Sequence, residues 1–132
     1  MTFEHVNSED LPTPLAYTHV VVAAGSRLVF VAGQPAEDGQ GNLAGPSDLA
    51  VQARRAFANV GRALAAGGAR PEQVTKITIF VAGYWRQYLP AIKEGRVALF
   101  GDHKPTDTLV GVAALSRPDY VIEVDAIAVT DG

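Results

Sequence analysis

The sequence predicts a single α+β domain over residues 1–132, a sheet covered on one face by two helices. Three observations carry that expectation. Leu49, Ala53, Ala56, Phe57, Val60 and Leu64 recur at helical spacing, Val74 to Ala82 alternates strictly, and short β-branched stretches flank both. A chain of 132 residues has room for one substantial core, and 48% hydrophobic with 19% charged residues is ordinary for a globular domain.

The elements follow in order. Thr18 to Ala24 and Arg27 to Ala32 are β-branched stretches joined by Gly25-Ser26, which predicts a β-hairpin, and a further strand is expected around Phe3 to Val6. Gly33 ends the second stretch, and Glu37 to Ser47 is a polar, glycine-rich loop. The first helix is capped by Ser47 or Asp48 and stopped by Gly67-Gly68, with Pro71 beyond; Arg54, Arg55, Asn59 and Arg62 fall largely outside its apolar stripe. From Val74 to Ala82, Ile77, Ile79 and Val81 share one face of a strand, and Lys76, Thr78 and Phe80 the other. A second helix is expected from about Tyr84 to Phe100; Pro90 places its start in dispute and Gly95 weakens it. Thr106 to Leu115 and Tyr120 to Val129 complete the set as two strands around a Ser116–Asp119 turn.

Composition removes several classes of function. There is no cysteine, hence no disulfide, thiolate nucleophile or Cys-ligated zinc. His5, His19 and His103 lack metal-ligand spacing, and no phosphate-binding glycine loop or nucleophile elbow is present. A net charge of −3 with scattered Lys and Arg gives no footprint for nucleic acid. The start of the chain has no signal-peptide pattern and no apolar run reaches membrane-spanning length, so a cytoplasmic protein is expected.

Assembly is also legible. Leu28 to Val31, and Val121, Ile122, Val124 and Ile127, place apolar residues on both faces of their strands. Two helices cover one face only, so the other needs a cover, and a second copy of the chain is the simple one.

Candidate chemistry centres on acids. Glu123 and Asp125 project from the same strand face, roughly 6–7 Å apart by strand rise. Two carboxylates on a largely apolar face either pair with Arg or Lys at a sheet edge or serve as a general acid or base. Asp107 reads as a strand-start residue and Tyr17 as a core aromatic on pattern alone. Patterning stops there.

The chain resembles the RidA/YjgF family from about Tyr17 to Val129. The resemblance rests on Val29-Phe-Val-Ala-Gly-Gln34, Asp48-Leu-Ala-Val-Gln52, Val60 through Gly68, Val74 through Val81 and, most telling, Glu123-Val-Asp-Ala-Ile-Ala-Val129, all in order. It implies a chorismate-mutase-like fold and a homotrimer whose sheets form a central barrel, with a small-molecule cleft at each subunit interface. It also implies hydrolysis of imines and enamines without metal or organic cofactor.

Residue by residue, Tyr17 matches the family's cleft tyrosine and Gly33 the glycine whose backbone lines the pocket, while Ala32 stands where many members have serine. Glu123 matches the acid thought to activate water, and Asp125 matches the second acid, one methylene shorter. Lys93 falls near a position that is often asparagine. Asp107 falls on the position of the arginine that clamps the substrate carboxylate, which turns attraction into repulsion worth several kcal/mol near ~4 Å at an effective dielectric of ~20.

The resemblance with this departure implies a non-canonical hydrolase of a neutral or cationic imine, enamine or related C–N substrate. Glu123 would assist water, Tyr17 shape the pocket and Asp107 meet the ligand's nitrogen, unless Lys93 or Arg96 restores a positive charge. The alternative is an idle trimer that binds a metabolite or a partner protein; a ribonuclease fits the acidic chain less well.

Overall fold

The computed structural model describes residues 2–131 and contains six strands and two helices. These are β1 (Thr2–Val6), β2 (Val20–Ala24), β3 (Arg27–Pro35), α1 (Leu49–Ala66), β4 (Val74–Ala82), α2 (Leu89–Phe100), β5 (Thr106–Val112) and β6 (Ile122–Thr130). Strands β3, β6, β4 and β5 form a mixed sheet in that order; only β4 and β5 run parallel. Both helices lie over one face, as expected.

The expected β2–β3 hairpin does not form. β2 pairs instead with β1, Thr2 opposite Ala24 through Val6 opposite Val20, as a separate two-stranded ribbon. β3 takes β6 as its partner. The reason lies at the connection: the Ser26 N–H donates to Thr130 O at 2.9 Å, which ties the turn to the end of β6. At Gly25 an added Cβ would come 2.7 Å from Thr130 O, an approach that glycine permits. β-branched residues announce strands, not their partners.

Helix α1 follows its stripe. Ser47 takes a left-handed backbone (φ 60°), and Asp48 is the cap, its Oδ1 accepting the Val51 N–H at 3.1 Å. Phe57, Val60 and Leu64 are wholly buried against Ile77, Ile79, Val81, Ile122 and Val124. Each large side chain so placed stabilises the fold by about 1.5–3 kcal/mol relative to exposure. Two polar residues join them. Gln52 accepts the Val121 N–H and donates to Gly45 O and Asp119 O; Asn59 donates to Pro35 O and Glu37 O. Both sew the flanking loops to the helix.

Helix α2 starts later than expected. A short 3-10 turn (Arg86–Tyr88) precedes it, Pro90 sits in its first turn, where a missing N–H costs nothing, and Trp85 is exposed outside it. Gly95, the apparent weak point, is where the helices touch. A Cβ there would lie 2.9 Å from Phe57 Cδ2 and 3.1 Å from Ala53 O, so the absence of a side chain sets the approach of α2 to α1.

His103 fixes the ribbon to this frame. Its ring packs near Phe3, His5 and Phe100, and Nε2 bonds Val74 O at 2.8 Å. Burial holds its pKa below the ordinary histidine value; His5 pushes the same way, while the Val74 bond and Glu72 oppose. With the folded pKa depressed, this contribution is present above the unfolded value near 6.5 and is lost as pH falls through the folded one. The melting temperature is therefore expected to drop by a few degrees between pH 7.5 and 5.5. His103→Gln should flatten that slope in a thermal-melt series.

Candidate functional site

The sheet face away from the helices is bare in the single chain. Leu28 and Phe30 are 63% and 70% exposed, and Phe30 stands opposite Ile127 on β6. Alternation along β6 puts Glu123, Asp125 and Ile127 on this face, all half-buried. Neither acid sits at a sheet edge, because β6 lies between β3 and β4. Asp125 Oδ1 accepts the Thr78 N–H of its neighbour strand at 3.0 Å, a structural use.

Glu123 is different. Among the described residues its carboxylate forms no hydrogen bond or ion pair, and it lies directly over Gly33. The β3–β6 register slips between Val31 and Gln34, so Ala32 and Gly33 form a bulge without ladder partners. Bulges recur where a sheet must present a group, and this one lowers the backbone beneath the glutamate. A Cβ on Gly33 would come 2.7 Å from Glu123 Cδ, inside contact distance. Behind the bulge, a groove of about 530 Å³ runs between β3 and α1, lined by Gly33, Pro35, Arg55, Asn59 and Arg62 among others. Sequence reading missed this groove. Arg55, Asn59 and Arg62, polar residues lying off the apolar stripe, were its one signal.

Asp107, Lys93 and Tyr17 form a second group. Asp107 pairs with Ile77 in register and so faces the helix side of the sheet, opposite to Glu123. There it meets Arg96 of α2, whose Nε and Nη2 both lie 2.8 Å from Asp107 Oδ2. The two side chains are only 11% and 6% exposed. Burial pushes the Asp107 carboxyl above its ordinary pKa, outweighing the pull of Arg96 and the smaller one of Lys76. Asp107 is thus the ion-pair partner of Arg96 in the single chain. Lys93 is exposed on α2. Tyr17 is 39% exposed, with its ring 6.1 Å from that of His19. The next residue, Thr18, donates to Lys104 O at 2.6 Å and to Pro105 O.

The two groups stay apart. Through Phe80, Glu123 lies level with Val110 on β5, whereas the Tyr17 segment is tied to Lys104 and Pro105. Six residues of extended chain separate those levels, roughly 20 Å by strand rise.

Two helices on a mixed sheet, a bare apolar second face and a glutamate over a bulged glycine define the Rid class of small α+β domain. Comparison with known proteins agrees. The family model described as endoribonuclease L-PSP matches residues 9–130, and the chain belongs to that family, the RidA/YjgF superfamily. It is 30% identical over 135 residues to a RutC family protein of Synechocystis sp., covering 98% of each. It is 27% identical over 120 residues to a 2-iminobutanoate/2-iminopropanoate deaminase of Dermatophagoides farinae, covering 91% of each. Among solved structures, a conserved Rid-family protein of unknown function, YyfB from Yersinia pestis, superposes with a TM-score of 0.91 at 29% identity, covering 98% of this chain and 99% of that one.

Proposed function

We propose that the chain is a cofactor-independent hydrolase of small imines or enamines, working in clefts between copies of a homotrimer. The observation that carries this reading is the Glu123 carboxylate, unpaired among the described residues, lying over the bulged Gly33 at the margin of a bare apolar face. A group so placed is a proton acceptor waiting for a partner. A relative bearing the name of an imine deaminase points to the same chemistry.

In this reading water adds to the carbon of the C=N bond, and its proton passes to Glu123. The glutamic acid returns that proton to nitrogen, and the carbinolamine then collapses to a carbonyl and ammonia. Positioning and one proton acceptor suffice for such an addition. Glu123, Gly33 and Ala32 come from one copy. Tyr17, too distant within the same chain, comes from a neighbour. Because Arg96 balances Asp107, the charge at position 107 no longer excludes an anionic substrate.

Ammonia release from freshly generated small imines tests the proposal. Glu123→Gln should slow it by about 10²–10⁴-fold while the melting temperature stays nearly constant. Gly33→Ala should also lower the rate, since the new methyl takes the place of the glutamate side chain. Equal rates in Glu123→Gln and the parent chain would remove Glu123 from the mechanism, and a parent chain inert to every imine would favour an idle, ligand-binding trimer.

A further inference from the structure

The groove of about 530 Å³ behind the bulge has walls of opposite charge. Arg55 and Arg62 stand on its α1 wall, and Glu37 and Asp38 on the loop that follows β3. We propose that this groove binds one small zwitterion, its carboxylate held by Arg55 and Arg62 and its ammonium by Glu37 and Asp38.

The hydrogen bonds around the groove carry the inference. Seven residues make two helical turns, so Arg55 and Arg62 leave α1 from one face, roughly 10 Å apart along the axis. Asn59 stands between them. Its amide nitrogen donates to Pro35 O and Glu37 O, and its Oδ1 accepts from Arg62 Nη1 at 3.3 Å. That last bond draws the Arg62 guanidinium back toward Arg55. Arg55 is fixed in turn, its Nε donating to Glu37 O at 3.1 Å. Neither guanidinium meets a carboxylate in an ion pair among the described residues. Arg55 therefore keeps both terminal nitrogens for a ligand, and Arg62 keeps Nε and Nη2.

The acidic wall is held just as firmly. Asp38 Oδ1 accepts the Gln40 and Asn42 N–H groups at 2.8 and 2.9 Å, which fixes the carboxylate within its own turn. The Asn42 bond first, and then the Gln40 bond, hold that carboxyl below its ordinary pKa, and nearby Arg55 adds a smaller pull. The two walls meet at Glu37 O, which both Arg55 and Asn59 reach.

Size agrees with that reading. Small-molecule sites span roughly 300–1,000 Å³, so the groove admits a free amino acid or a dipeptide. A ligand with a single charge would leave one wall unanswered. The site is complete within one chain. Gly33 lines it, but the Glu123 side chain lies on the opposite face of the sheet, so the assignment stands whether or not the hydrolase reading does.

Amide chemical-shift titrations of the whole protein at constant ionic strength test the proposal, with L-alanine and alanyl-alanine as probes. The controls are N-acetylalanine, which keeps only the carboxylate, and alaninamide, which keeps only the ammonium. Saturable shifts at Gly39, Asn59 and Ala63 are expected with the zwitterions, and binding about tenfold weaker with either control. The zwitterion that saturates at the lower concentration tells an amino-acid site from a peptide site. Arg62→Gln and Asp38→Asn, each removing one charge, should each weaken binding by about fivefold. Glu123→Gln should titrate as the parent chain does. Equal saturation by either control, shifts that rise only linearly, parent-like binding in both charge variants, or binding lost in Glu123→Gln would overturn the assignment.

Discussion

Replacing Arg96 by alanine should destabilise the protein by about 3–5 kcal/mol, because it strands the Asp107 carboxylate on the buried face of the sheet. For a domain of this size that corresponds to a drop of roughly 10–20 °C in melting temperature. The Asp107 carboxylate makes no other hydrogen bond or ion pair among the described residues and is only 6% exposed, so water cannot easily take the place of the guanidinium. Replacing both residues by leucine should recover most of the loss, since the desolvation penalty and the attraction vanish together. Thermal melts of Arg96→Leu, Asp107→Leu and the pair read this directly as a coupling energy. If the two single losses add in the paired variant, the residues do not act as one unit.

The second large effect concerns the bare sheet face. Phe30→Asp places a carboxylate at the side chain that is 70% exposed in the single chain and that the trimer would cover. Burying an unpaired charge costs several kcal/mol per copy, and a symmetric assembly repeats the cost at every interface. The variant should sediment as a single chain of about 13.9 kDa while keeping its far-ultraviolet signature, because Phe30 is not part of the helix-side core. Imine hydrolysis should disappear with the trimer. A monomer that remains fully active would place the whole cleft inside one chain.

How far the sequence could be read follows from what kind of information each feature needs. Helix α1 was legible because its stripe, its aspartate cap and its double glycine are local signals. The bare face was legible because two-sided apolar strands outnumber the helices available to cover them. The β2–β3 hairpin was misread, since ladder partners depend on the Ser26–Thr130 bond, which joins the two ends of the chain. The start of α2 was blurred by Tyr84 and Trp85, exposed aromatics ahead of the helix that imitate a buried helical face.

The site divides in the same way. The string from Glu123 to Val129 pointed to the glutamate, but the bulge at Ala32 and Gly33 that sets its surroundings is a register slip invisible to composition. Position 107 stands out in the sequence through the resemblance alone, as a carboxylate where the family pattern has a guanidinium, with Arg96 one way to restore a positive charge. That the two residues neutralise each other depends on the face that Asp107 takes. Its spacing from Leu109, which packs on the core, was the signal that would have placed it toward the helices.

The shared cleft itself is tested most directly by mixing two inactive variants. Tyr17→Ala and Glu123→Gln, unfolded together and refolded at equal concentration, should regain about a quarter of the parent rate, since random assembly pairs an intact tyrosine with an intact glutamate at about that frequency. If mass spectrometry shows mixed trimers and the rate stays at that of the separate variants, the cleft does not draw Tyr17 and Glu123 from neighbouring copies.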